Sequence, residues 1–210
     1  MDTLSTGLIT DGSSDQALIP LLTTLLSDLL PQARIDTLQW IAPANKNSLS
    51  EKISYALDTG NFQLDILFVH RDAENETVAK RVEEISQSTP AGKHPIVCVI
   101  PVKMTESWLI TSDKAIKEAV GNSHSKAKLD LPAQNKIESC DAKAVLFEAL
   151  TQAREHGAHR RRKFKPERFR QRVAELTTDL TALRKIPSFK LMEDALLDIL
   201  QRRNTSHVDV

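Results

Sequence analysis

Leu64-Asp65-Ile66-Leu67-Phe68-Val69-His70-Arg71-Asp72-Ala73-Glu74 is the stretch on which the fold turns. Residues 66–69 are apolar without a break, and charge closes in on both sides. A strand with one wet face alternates apolar and polar residues. A run apolar on both faces belongs inside a parallel sheet covered by helices. Asp72 and Glu74 then emerge at the carboxyl end of that strand, the end at which parallel sheets bind ligands. Two carboxylates one residue apart project to the same side, as the ligands of a hard cation must. A solvated loop is the competing reading, because Asn75 and Glu76 continue the polar run.

The same pattern recurs on both sides of this strand. Residues 8–10 read as a strand, followed by Asp11-Gly12-Ser13-Ser14-Asp15 at a strand-to-helix turn. Gly12 eases the turn, Ser14 is available as N-cap, and a helix follows over about 15–30 with Pro20 as an expected kink. A strand over 35–41 precedes a helix carrying Leu49, Ile53, Ala56 and Leu57. A helix over 76–88, apolar at Val78, Val82 and Ile85, precedes a strand over 95–102. This is βαβαβαβ with crossover-length connections, hence an α/β fold with a four-stranded, mainly parallel sheet flanked by helices. Beyond Val102 the pattern is helical, over 104–111, 112–120, 141–154, 166–183 and 191–203, with a frayed tail after 204. The division expected is an α/β domain over 1–111 and a helical extension over 112–210.

With 210 residues, 40% hydrophobic and 27% charged, the chain has an ordinary globular composition. No run reaches membrane-spanning length, and the start lacks the basic and apolar pattern of a secretory signal. Cys98 and Cys140 have no Cys or His at metal-ligand spacing, so both read as incidental thiols of a reducing cytoplasm. The formal net charge is zero, yet nine of the 28 Lys and Arg and only two of the 28 Asp and Glu fall in residues 151–173. That segment is cationic by seven charges, and the remainder is anionic by seven. It includes Arg160, Arg161, Arg162, Lys163 and Lys165, with Phe164 and Phe169 interleaved. Phosphate neutralisation with base stacking is one reading. Docking on an acidic protein is another.

Candidate chemistry gathers at the strand ends. Asp11 and Asp15 follow the first strand, Asp72 and Glu74 the third, and Lys103 and Glu106 the fourth. Crowded carboxylates repel unless a cation lies among them, which points to Mg²⁺ or Mn²⁺. Lys103 suits a developing phosphate charge, and Arg71 suits a bound phosphate. His70 reads more readily as a structural histidine, and Trp108 as a core anchor between the two halves. Asp15 and Glu106 also suit helix capping alone.

An acid after strand one in a (D/E)-G-x-x-D turn, an acidic D-x-(D/E) pair after strand three and a four-stranded α/β core together resemble the Toprim domain. That domain is shared by topoisomerases, bacterial-type primases and nucleases of the overcoming-lysogenization-defect type. Pro101-Val-Lys-Met-Thr-Glu-Ser-Trp-Leu-Ile110 and Ile186-Pro-Ser-Phe-Lys190 resemble stretches of small Toprim-like proteins encoded beside ABC-type ATPases in bacterial anti-phage loci. The resemblance covers about residues 5–110. It implies a metal-dependent nuclease subunit with Asp11, Asp72 and Glu74 as metal ligands, Asp15 and Glu106 binding the metal directly or through a neighbouring ligand, and Lys103 or Arg71 screening the leaving oxygen. It further implies a nucleic-acid substrate, an ATPase partner and a possible homo-oligomer. Asp11 stands where the family has Glu, and Glu74 where it has Asp. A non-catalytic regulatory subunit of an ATPase complex is the rival reading. A receiver- or phosphatase-like site fits less well, lacking the later Thr and Lys in order.

Overall fold

The computed structural model describes residues 3–58, 61–92, 94–155 and 164–206, the last three by backbone alone. β1 (Thr3–Leu4) and β2 (Thr6–Ile9) lead through a 3-10 turn (Ser13–Ala17) into α1 (Leu18–Leu29). β3 (Arg34–Ile35), β4 (Gln39–Trp40), α2 (Leu49–Leu57), β5 (Ile66–His70), α3 (Val78–Ser88) and β6 (Ile96–Val99) follow. β4, β2, β5 and β6 form, in that order, a four-stranded sheet in which every pairing is parallel. β1 and β3 pair separately, also in parallel. α4 (Glu106–Leu109), α5 (Asp113–Ala119), α6 (Ala142–Ala153), α7 (Arg170–Leu176) and α8 (Pro187–Ser206) make the second half helical.

The four apolar residues of β5 are buried, as the unbroken run demands, and His70 at its end is buried with them. Ile66 and Phe68 face one core, with Leu8, five leucines of α1, and Trp108, Leu146, Phe189 and Leu196 from the helical half. Leu67 and Val69 face the other, with Ile9, Ile53, Ala56 and Ile85 beneath α2 and α3. The first core is continuous across residues 111–112. Trp108 is fully buried there, stacked edge-on against Phe189 at 5.0 Å and donating its indole N–H to Ser188 Oγ at 3.1 Å. The two stretches 101–110 and 186–190 therefore meet in space, and Trp108 is the expected anchor between the halves.

The last helix runs Pro187–Ser206, beyond the expected 191–203 at both ends, and three further departures from the sequence pattern have a local reason. The strand expected over 35–41 is two short pieces. Its chain first bonds β1 through Ile35 and Asp36 N–H, then crosses to β2 at Gln39. The change of partner matches a break at Ser5, whose N–H donates to Asp65 Oδ2 at 2.8 Å. The helix expected from Asp15 begins as the 3-10 turn, and its N-cap is Gly12, not Ser14. Gly12 is extended (φ −138°), so no left-handed turn requires a glycine there. Pro20 is the third residue of α1, where an amide hydrogen is dispensable, and it breaks nothing. The helix expected over 166–183 is a 3-10 turn (Pro166–Phe169) and α7, ending where Thr177 Oγ1 donates back to Val173 O at 2.8 Å. Asp179 Oδ1 then accepts Thr181 N–H and turns the chain away.

Among the described residues, no helix is long and apolar enough to cross a membrane. Burial pushes the Cys98 thiol up to about 11, which keeps it protonated at neutral pH.

Candidate metal centre

Three connections leave the carboxyl edge of the sheet side by side. The 3-10 turn after β2 carries Asp15, the end of β5 carries His70 and Asp72, and the segment after β6 carries Thr105 and Glu106. Thr105 Oγ1 lies 3.4 Å from Asp15 Oδ1, 3.4 Å from Asp72 Oδ1 and 3.2 Å from His70 Nε2. His70 Nε2 is 3.1 Å from Asp72 Oδ1. Asp15 Oδ2 accepts the Gly12 N–H at 3.1 Å, and Ser14 Oγ approaches Asp15 Oδ1 at 3.3 Å. Asp15, His70 and Asp72 each offer a ligand atom within 4.8 Å of the other two.

The cluster is buried and acidic. The His70 side chain is fully enclosed, while those of Asp15 and Asp72 are 12% and 25% exposed. Among the described residues no lysine or arginine side chain pairs with either carboxylate; Arg81 Nε reaches only the backbone carbonyl of Asp72. Burial pushes the Asp72 carboxyl above its usual range, against the opposing pull of His70, and the nearby charges of Asp15 and Glu106 add to the rise. His70 Nδ1 is buried without a hydrogen-bond partner, and it faces Asp15 Oδ2 at 3.8 Å.

The remaining acids of the two motifs have a different fate. Asp11 Oδ1 accepts Arg71 Nη1 at 2.6 Å, and Arg71 Nη2 donates to Glu84 Oε1 at 2.9 Å. Glu84 also accepts Arg81 Nη1 at 2.7 Å, and Arg81 lies 3.7 Å from Glu74. The result is a ladder of alternating charge over the ends of β2, β5 and α3. The Arg81 hydrogen bond, with Arg71 adding to it, holds the Glu84 carboxyl below its usual range. The carboxylate of Asp11 is thus drawn out to Arg71 and away from the cluster. The Glu74 side chain is 68% exposed beside Arg81. Arg71 is committed to two acids rather than standing open to a phosphate.

A cleft of about 510 Å³ opens beside the cluster, lined by Asp15, Asp72, Glu74, Lys103, Glu106 and Arg170 among others. Glu106 is buried, and its Oε1 accepts Arg170 Nη1 at 2.6 Å, so its charge is matched from α7. Lys103 Nζ donates to the Ser139 carbonyl at 2.7 Å. Lys143 also lines the cleft. Glu74 and Lys103 both hold left-handed backbone (φ 54° and 65°), which disfavours residues with a Cβ by on the order of 1 kcal/mol each. Two such residues on one cleft are the kind of strain that gathers at functional sites.

Of the basic segment, Arg160, Arg161, Arg162 and Lys163 lie outside the described residues. Lys165 is exposed at the cap of the 3-10 turn before α7. Phe164 and Phe169 are half-buried and pack on each other at 5.1 Å, with the Arg154 guanidinium 4.6 Å over the Phe164 ring. Sequence reasoning passed over Thr105 and Arg170 and read His70 as structural. A signal for His70 was present: the two-residue period of β5 puts it on the face of Ile66 and Phe68, toward the segment carrying Thr105. Nothing in the sequence marks the Arg170 contact, which depends on how α7 packs against α4.

No family model matches this sequence, and neither the curated proteins nor the solved structures searched contain a significant match.

Proposed function

We propose that this chain is a Toprim-like, metal-dependent nuclease subunit that hydrolyses nucleic-acid phosphodiesters. The observation that carries the reading is the largely buried Asp15–His70–Asp72 cluster, which among the described residues has no lysine or arginine partner, at the ligand-binding edge of a parallel sheet. A divalent cation held there supplies Lewis acidity toward a phosphoryl oxygen. Asp15 and Asp72 bind and orient it, and Gly12 N–H fixes the rotamer of Asp15. Arg170, Lys103 and Lys143 line the same cleft and attract the anionic backbone of the substrate. Glu106 holds the Arg170 guanidinium at the cleft wall. The fold order, with acids after β2 and β5, supports the Toprim resemblance. Effector work in an anti-phage system beside an ABC-type ATPase rests on the resemblance of residues 101–110 and 186–190.

The test is incubation of the purified full-length protein with single- and double-stranded DNA and RNA in Mg²⁺ or Mn²⁺, against the same protein carrying Asp72→Asn. Cation-dependent cleavage lost in the variant supports the reading. Absence of cleavage by the protein alone and in the presence of an ABC-type ATPase encoded beside it sinks it. A second reading, a non-catalytic subunit of an ATPase complex, is favoured by the Arg71 and Arg81 ladder, which ties up Asp11 and screens Glu74. Stable co-elution with the ATPase and unaltered defence by Asp72→Asn would select that alternative.

A further inference from the structure

We propose that His70 is itself a ligand, binding a first-row transition cation through Nδ1 beside Asp15, so that the centre favours such an ion over Mg²⁺. The inference rests on the cation centre of the preceding section but not on its nuclease activity.

The hydrogens of the imidazole decide which contacts of His70 are satisfied. Nε2 touches Asp72 Oδ1 at 3.1 Å, and a carboxylate only accepts, so a hydrogen on Nε2 is the arrangement that contact favours. Nδ1 then carries a lone pair and faces a second acceptor, Asp15 Oδ2, at 3.8 Å. The other neutral tautomer turns the Nε2 lone pair onto Asp72 and leaves the Nδ1 hydrogen without an acceptor at bonding distance. A doubly protonated ring has only a long ion-pair contact for that hydrogen, to Asp15 Oδ2 at 3.8 Å, and no hydrogen bond. In every protonation state Nδ1 lacks a hydrogen bond among the described residues, although the side chain is wholly buried. A buried polar atom without a partner is uncommon and costly enough to need an explanation.

A cation between Nδ1 and Asp15 Oδ2 supplies it. Metal–nitrogen and metal–oxygen bonds of about 2.1 Å separate the two ligand atoms by about 3.0 Å at a right angle and about 4.2 Å when opposed. The observed 3.8 Å falls inside that window. Asp72 then serves this cation through His70 rather than as a direct ligand, accepting Nε2–H and fixing both ring orientation and tautomer, the usual carboxylate–histidine–metal arrangement. Mixed imidazole and carboxylate donors suit Mn²⁺, Fe²⁺ or Zn²⁺, whereas Mg²⁺ prefers an oxygen-only octahedron and keeps its waters.

The experiment uses metal-stripped full-length protein titrated with Mn²⁺ and read by electron paramagnetic resonance, with Mg²⁺ as competitor. Electron spin-echo modulation from a directly coordinated ¹⁴N is expected in the unaltered protein. In His70→Gln that modulation should vanish, and the preference for Mn²⁺ over Mg²⁺ should fall about tenfold or more. Bound Mn²⁺ with an oxygen-only spectrum, or an unchanged preference in the variant, overturns the role of His70 while leaving the carboxylate centre standing. Failure to bind Mn²⁺ at all overturns both. Should His70→Gln not fold, the ¹⁴N signal of the unaltered protein decides the matter.

Discussion

Asp11-Gly-Ser-Ser-Asp15 and His70-Arg-Asp-Ala-Glu74 each divide between two neighbouring regions that treat charge in opposite ways. Asp11, Arg71 and Glu74 join Glu84 and Arg81 in a partly exposed ladder where cations alternate with anions. Asp15, His70 and Asp72 turn inward to a buried cluster that holds two carboxylates, a hydroxyl and an imidazole, with no lysine or arginine partner among the described residues. A ladder of that kind is a surface network, worth a few tenths of a kcal/mol per exposed pair. The cluster costs stability as it stands, because burial and mutual repulsion both act on Asp72. Counting acids does not separate the two regions. Asking which acids already have a cation does.

The largest separation is expected in cation binding. Asp15→Asn should weaken Mn²⁺ binding by about 100-fold, and Asp72→Asn by about 10- to 100-fold. Asp11→Asn should change it by less than about threefold, since only an exposed pair is lost. Calorimetric titration of the three variants decides this, and an Asp11→Asn loss as large as the others would erase the distinction between ladder and cluster.

Arg170→Gln probes the border between the regions, where Glu106 is buried and matched by one guanidinium. Removing that partner strands a buried charge and should cost about 2 kcal/mol in urea unfolding without added metal. Part of this loss should return with millimolar Mn²⁺, which gives the freed carboxylate a new counter-ion. Equal loss with and without metal would place Glu106 outside the reach of the cation.

A third prediction has the opposite sign. In metal-free protein Asp72→Asn should raise the melting temperature by about 2–4 °C, corresponding to about 1 kcal/mol. The amide carbonyl still accepts from His70, while the crowded charge is gone. Lower thermal stability would mean that the cluster is compensated after all.

The smallest effect is the pH response of the ladder. Glu84 is held below its ordinary range in the folded protein, so its contribution is present above its unfolded value and fades as pH falls through the folded value. Glu84→Gln should therefore cost a few tenths of a kcal/mol at pH 7. The gap from the unaltered protein should close as the pH falls through the depressed folded value of Glu84. Melting curves across that range would reveal a gap that stays constant, which would remove the ionic origin.

The parallel sheet was legible because β5 and β6 are apolar on both faces and the intervening periodicity is helical. The β3–β4 break was not, since it follows from a change of pairing partner rather than from composition. The position of Asp72 was legible from the exit of β5. The withdrawal of Asp11 from the cluster was not, because it depends on Arg71 reaching across to the neighbouring strand end. His70 was visible only to strict alternation, and its unmatched nitrogen only to three-dimensional geometry.

The two tryptophans fall one to each region. Trp40 is 38% exposed on the edge strand and donates its indole N–H to Thr10 Oγ1 at 3.0 Å, just before the turn that carries Asp11. Trp108 is sealed in the core two residues after Glu106. The chain thus contains its own pair of optical probes. A red-shifted, acrylamide-accessible emission reports on the outer turn, and a blue-shifted, protected one on the wall of the cleft. With a phenylalanine at either position, a single fluorescence titration tells which of the two regions responds to metal or to nucleic acid.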